Sequence, residues 1–273
     1  MYSDASSSPS ASTSPSTNTS ASTSTITNTS PRRLARAAGG LYLTNIVFGA
    51  FALGLVPAIL IGSNLATTAH NIETHEFLYR SGLAAHIVVT LTNVPMAVIF
   101  YELFAVVNRR LALLDACFTL VATAVETAGL MNQFTPLLLL NNGPDAGAIP
   151  TSQLQALAHL STDLSPINYS IYTIFYGCDI AIVAYLVYTS TFLPKTIGAL
   201  LAIDGFVYLA NGFTNVLAPG VSAHLAPWTE LPPLLGEGSL CVWLLIAGVN
   251  VQRWKARAAM TTRALPTPLD ETA

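Results

Sequence analysis

Apolar runs far longer than a soluble core needs alternate along this chain with short polar links. Two of them, residues 80–107 and 111–132, are joined through Asn108-Arg109-Arg110. Each exceeds the roughly 20 apolar residues that cross a bilayer core of about 30 Å. So short a link permits only an antiparallel helical hairpin, with both arginines at one membrane face. Four further runs, at 41–62, 167–189, 196–216 and 233–252, bring the expected number of spanning helices to six. The pattern therefore predicts an all-α fold: a polytopic membrane helical bundle with six transmembrane helices. Pro57, Pro95 and Pro166 fall in or at the ends of these helices, where they introduce kinks. The run from Pro136 to Leu140 is too short to span and reads as an outward extension of the third helix or as an interfacial piece.

Composition agrees with this pattern. The chain is 52% hydrophobic and 9% charged, against a usual charged share of about 25% in soluble domains. A mean hydropathy of +0.54 despite a polar tail means that the apolar residues cannot all form a water-excluded core. Residues 1–31 are almost wholly Ser, Thr, Ala, Pro and Asn, a composition too polar to offset its ordering entropy. The expected organisation is a disordered tail over 1–33, the six-helix domain over 34–253, and a basic then flexible tail over 254–273. No basic start followed by an apolar run marks a cleavable signal peptide.

The net charge of −3 matters less than where the charges sit. Arg32, Arg33 and Arg36 precede the first helix, Arg109 and Arg110 join the second to the third, and Lys195 joins the fourth to the fifth. Arg253, Lys255, Arg257 and Arg263 follow the sixth. With six crossings, ten of the eleven cations share one side and Arg80 is the exception. Lysine and arginine favour the cytoplasmic face, so both termini are expected there, in a cell membrane. The consensus glycosylation triplets at Asn18 and Asn28 then carry no meaning. Three loops, 63–79, 133–166 and 217–232, go to the outer side. The first carries a dense His70–Glu76 patch, read as a solvated loop. The middle one holds the turn-rich NNGPDAGAIP and then TSQLQALAHL, read as a short amphipathic helix on the membrane surface.

Several chemistries lack their signatures. Cys117, Cys178 and Cys241 lie in three different apolar runs without a CxxC, which makes them packing residues. There is no HExxH, GxSxG, P-loop or dinucleotide fingerprint. No internal repeat supports an inverted-repeat transporter.

Polar residues inside the apolar runs carry the remaining information. Glu102, Asp115, Glu126, Asp179, Asp204 and Glu237 all lie within predicted spans, with no lysine or arginine at their depth. A central charge costs roughly 2.5–3.5 kcal/mol on insertion scales, so these acids must face the bundle interior and find partners there. Helical spacing supports this. Asp115, Thr119, Ala122 and Glu126 share a face, as do Asp204, Tyr208, Asn211 and Asn215. His86, Thr90 and Asn93 form a third stripe, and Tyr172, Tyr176 and Asp179 a fourth. One account is plain interhelical hydrogen bonding, with Glu102 and Asp115 neutralising the arginine turn. The other is a polar cavity open to the outer face, where His86, Glu126, Asn211, Asn215 and Glu237 lie at similar depth. His86, Glu126 and Glu237 are metal-ligand types, but they come from three helices, so no spacing tests that use and no metal is assigned.

The segments RAAGGLYLTNIVFGAFA, FLYRSGLAAHIVVTLTNV, ELFAVVNRRLALL, QLQALA, AYLVYTSTFLPKTIGALLAIDGFVYL and LPPLLGEGSLCVWLL resemble a bacterial integral membrane family, domain of unknown function 4386. The resemblance covers about residues 34–253 and implies a six- or seven-helix membrane protein with no assigned activity. Glu237 matches the family pattern. That pattern carries an acid where this chain has His86, a histidine near Asp179, an Asp near Asn211 and an Arg around Thr119. By the resemblance, His and Asp are exchanged in this member.

Three functional classes follow. The leading reading is a multi-pass protein whose acid-rich interior opens outward. As an enzyme it would do acid–base chemistry on a lipid or isoprenoid-like substrate, as a cyclase, isomerase or hydrolase. Glu237 and Glu126 would then be proton donors or acceptors, His86 and Asp179 their partners. Asn93, Asp204, Tyr208, Asn211, Asn215 and Tyr176 would bind the substrate. As a proton-coupled transporter it would titrate Asp179 and Asp204 near the midplane. The third class is a non-catalytic assembly or sensor subunit. An enzyme should open laterally beside the outer cluster, a carrier should string its acids along a path, and an assembly subunit should bury them against each other. The expected surroundings are the bilayer and a lipid-like small molecule, with no nucleic acid; cofactor and oligomeric state are left open.

Overall fold

The computed structural model describes residues 30–62, 64–141 and 151–263, and among these every regular element is a helix. The helix α1 runs Pro31–Gly49 and passes through a π-helical stretch, Ala50–Leu55, into α2, Val56–Leu60. Pro57 explains the bulge. It lacks the N–H that would bond the carbonyl of Leu53, and the Val56 N–H bonds the Phe51 carbonyl instead. The helix α3, Leu65–Thr74, replaces the loop expected around His70, with Asn64 accepting from the Thr67 N–H as its N-cap. The long α4, Glu76–Asn141, holds the predicted hairpin. It is broken at one residue, Asn108 (φ −154°, ψ 105°), whose side chain accepts from the N–H groups of Arg110 and Leu111 at 3.1 and 3.2 Å. Asn108 thus starts the second leg as well as ending the first. Pro136 to Leu140 continues the third apolar run as helix inside α4.

Two further helices correct the reading of the links. The helix α5, Thr151–Thr189, absorbs TSQLQALAHL into one rod of 39 residues, about 58 Å long at 1.5 Å per residue. That segment is therefore not a separate surface helix, and α5 continues through Pro166. After α6, Lys195–Leu217, the outer link forms α7, Pro219–Thr229. The helix α8, Leu231–Ile246, is shorter than the predicted sixth span. Gly248 takes φ +66°, its N–H closing back on the Trp243 carbonyl, and Asn250 then caps α9, Val251–Arg263. The chain bends by 101° between α8 and α9. The tail expected from residue 254 is thus helical as far as Arg263, and α1 begins at Pro31, inside the expected N-terminal tail. Residues 1–29, 142–150 and 264–273, which carry the remaining tail and turn readings, lie outside the described residues.

Long-range contacts fix the direction of each leg. Gly49 lies against Val89 and Gly82 against Val56, so α1–α2 and the first leg of α4 run antiparallel. The two legs of α4 nest about Asn108, with Tyr79 bonded to Gln133 and Asn93 to Glu126. Thr119 meets Asp179 and Gly129 meets Asn168, which sets α5 against the second leg. Gly198, Gly205 and Gly212, seven residues apart, seat α6 directly on the α5 backbone, where any side chain would collide with Tyr188, Ala181 or Ser170. Finally Arg36 faces Ile246, Gly39 faces Leu244–Leu245 and Tyr42 faces Glu237, so α8 returns antiparallel to α1.

Polarity is inverted relative to a water-soluble bundle. Asp204 is fully buried while Phe206, two positions on, is 71% exposed. Leu217, Trp228 and Ile246 are exposed to a similar degree. Such surfaces suit hydrocarbon and not water. Four helices among the described residues are long and apolar enough to cross a membrane, or five if α8 and α9 form one broken span. In that count the stretch Glu76–Leu138 is a single span of 63 residues, although it folds back at Asn108. Among the described residues the fold is all-helical, with apolar helices that suit a membrane.

Candidate functional site

Asp115, Thr119, Ala122 and Glu126 are all buried, as are His86, Thr90 and Asn93. Their side chains do not form one cluster. They build separate polar centres on neighbouring faces of the bundle.

The first centre joins the two legs of α4. His86 Nε2 lies 3.0 Å from Glu126 Oε1, and its Nδ1 lies 3.4 Å from Gln133 Oε1. Asn93 donates to the other Glu126 oxygen at 3.4 Å and accepts from Asn45 of α1 at 2.6 Å. The second centre surrounds Glu237 of α8. Tyr42 of α1, Tyr176 of α5 and Tyr208 of α6 each donate a hydroxyl to its carboxylate, at 2.8, 2.9 and 2.9 Å. The Tyr176 ring stacks on Tyr172 and meets Tyr208 edge-on, which holds two of the three donors in place.

The third centre lies where the second leg of α4 packs on α5. Thr119 Oγ1 donates to Asp179 Oδ1 at 2.9 Å and to the Asp115 backbone carbonyl at 3.1 Å, and the Asp115 carboxyl lies near enough to that of Asp179 to interact with it. Asp115 Oδ1 has no donor facing it. Asp115 is 1% exposed and makes no ion pair with Arg109 or Arg110. Asp115 therefore does not neutralise the turn: it packs beside Thr119 and Asp179, and Arg109 bonds the Tyr101 hydroxyl.

Asp204 stands apart. Both of its oxygens are buried without a hydrogen-bond partner, and it packs against Gly236 beside Glu237. The neutral acid is the form such a site accepts, because a bare carboxylate there would cost several kcal/mol. Asn211 and Asn215 gather with Ser222 of α7 in a separate knot of hydrogen bonds.

His86 and Glu126 thus come together and Glu237 does not join them. His86 and Asp179, read as exchanged by the resemblance, belong to different centres. Among the described residues no three His, Cys, Asp or Glu side chains converge as a metal site requires. Three partners escaped the sequence reading: Tyr42, Asn45 and Gln133. The first two were legible, since Ala38, Tyr42, Asn45 and Gly49 follow the same spacing on α1. Gln133 lay beyond the expected end of its helix.

A cavity of about 10 Å³ lies between the second and third centres, with Tyr42, Tyr176, Thr119 and Asp179 in its lining. At the basic end of the bundle, α9 crosses the helix termini. Trp254 Nε1 donates to the Leu103 carbonyl, Thr261 to that of Val106, and Arg253 to that of Thr191.

Comparison with functionally described proteins and with solved structures returned no match. A family profile described as a domain of unknown function matches residues 37–248, which include all of these centres. With most of its length inside that match, the chain belongs to the DUF4386 family.

Proposed function

We propose that this protein is a proton-coupled membrane carrier with six crossings, both termini cytoplasmic, in which buried carboxyls take up and release protons. One observation carries the reading: acids and hydroxyls follow one another along the bundle axis. On the second leg of α4, Asp115, Thr119, Thr123 and Glu126 are all buried on one face and cover about 16 Å, half of a bilayer core. His86 and Asn93 meet the outer end of that column, and Asp179 meets its inner end. Intramembrane acids arranged in this way are the usual parts of proton relays.

The six-crossing topology is supported by the alternating legs, counting each leg of α4 and α8 as one crossing. The cytoplasmic assignment is supported by the basic end, where Arg36 bonds Ile246, Arg253 bonds Thr191 close to Lys195 in sequence, and Thr261 bonds Val106 just before the Arg109–Arg110 turn. The lipid-enzyme reading would need room for a substrate beside its acids, and the cavity beside Asp179 has the size of a water.

Proteoliposomes containing an internal pH dye should be challenged in turn with amino acids, sugars, nucleosides and organic cations. The carrier reading expects at least one class to drive proton movement that Asp179→Asn abolishes. If wild type moves no protons with any class, while mass spectrometry finds a lipid converted, the protein is an enzyme of the bilayer.

A further inference from the structure

The caged Glu237 and the Asp115–Asp179 pair come from different helices, and nothing in the established geometry links them directly. The cavity between them does. Its polar lining consists of Tyr42, Tyr176, Thr119 and Asp179, and Ala97 and Phe100 close it on the first leg of α4. Voids of this size remain dry when their walls are apolar, and hold a water when two to four polar partners face them. Here the partners belong to two proton-bearing centres. The Tyr42 and Tyr176 hydroxyls spend their protons on Glu237 Oε2, which leaves their oxygens free to accept. Asp179 accepts from Thr119 at Oδ1 and has capacity for a further donor.

We propose that this cavity binds one water that joins Glu237 to the Asp115–Asp179 pair as a single proton-exchanging unit. The water donates one hydrogen to a tyrosine oxygen and holds the other partner, Asp179, on its opposite side. A proton leaves the Asp179 carboxyl for the water oxygen, and the water releases one of its own to the Tyr176 oxygen. The Tyr176 hydroxyl proton then passes to Glu237 Oε2. Three O–H bonds break and three form, so one proton moves from α5 to α8 without an ion left behind in tyrosine or water. The titratable groups acting on this unit are Tyr42 from α1, Asp115 from α4, Tyr172, Tyr176 and Asp179 from α5, Asp204 and Tyr208 from α6, Glu230 between α7 and α8, and Glu237 from α8. Among the described residues no lysine or arginine bonds to any of them. The inference deepens the carrier reading by giving its acids a connection.

The test is infrared difference spectroscopy of the full chain in lipid nanodiscs during a pH titration, with and without ¹⁸O-labelled water. The carboxyl band lost in Glu237→Gln reports Glu237. The proposal expects a water band that shifts with ¹⁸O, and expects Asp179→Asn to move the Glu237 midpoint by about one pH unit. In Ala97→Leu, which fills the cavity, the water band should vanish and Asp179→Asn should no longer move Glu237. Ala97→Val is the smaller filling variant if leucine prevents folding. Absence of the water band in wild type overturns the proposal, as does coupling that survives in both filled variants, which would be through-space electrostatics alone. A failed carrier reading looks different: no solute-driven proton movement, with the water band and the coupling intact.

Discussion

Tyr42 donates its hydroxyl to Glu237 across 2.8 Å, from the first long helix to the last and over 195 positions of chain. That bond closes the bundle on itself, since α8 has its backbone against Gly39 one turn below. It also leaves the carboxylate with three donors from three different helices.

Removing one donor should be tolerated and removing the acceptor should not. Tyr42→Phe is expected to cost about 0.5–1.5 kcal/mol, the range for one hydrogen bond in such a setting. Glu237→Leu leaves three buried hydroxyls without an acceptor and should cost more than twice as much. Unfolding in detergent gives both values, and the double variant should lose less than their sum because the two residues share one interaction.

The glycines of α6 make a sharper test of the packing. A Cβ on Gly205 would stand 2.9 Å from the Ala181 nitrogen and 3.1 Å from the Gly177 carbonyl. Gly205→Leu should therefore separate α5 from α6 and destabilise by about 3 kcal/mol. Gly40 has nothing within 4 Å of its Cβ position, so Gly40→Leu should be neutral. Equal thermal shifts in the two variants would contradict this interface.

His86 and Glu126 should behave as one unit. His86→Ala leaves the Glu126 carboxylate with Asn93 as its donor, and the loss should approach about 3 kcal/mol, as for other buried pairs broken on one side. The double variant His86→Ala with Glu126→Gln should recover most of that loss in the same unfolding measurement. Additive losses would mean that the two side chains do not depend on each other.

Much of this fold was legible because hydrocarbon imposes a simple rule. The stripe Asp115, Thr119, Ala122, Glu126 was readable because polar residues at i, i+4 and i+11 can be sheltered together only on an inward face. The hairpin was readable because Asn108-Arg109-Arg110 leaves no other path. What the spacing could not supply was rotation between helices. His86, Glu126 and Glu237 are expected at one depth by residue count, yet Glu237 points to three tyrosines and the other two pair with each other. The end of α8 was missed for a local reason. The Gly248 and Asn250 signals sit inside an apolar run, and hydropathy averaged over them.

Asp204 separates stability from function. It is fully buried without a hydrogen-bond partner, so it contributes no bond that Asp204→Asn could break. Thermal stability should stay within about 1 kcal/mol of wild type or rise, while solute-driven proton movement falls. A large loss of stability with unchanged proton movement would make Asp204 a packing residue.

The central claim is that the interior carboxyls exchange protons with one side of the membrane, and it can be tested without knowing any substrate. Proteoliposomes adsorbed on a solid-supported membrane electrode should answer a step in pH with a transient displacement of charge. The account predicts such a transient in wild type, reduced in Asp179→Asn and absent when Glu237→Gln is added. A wild-type response no larger than that of protein-free liposomes, from protein shown to be folded and inserted, would contradict it.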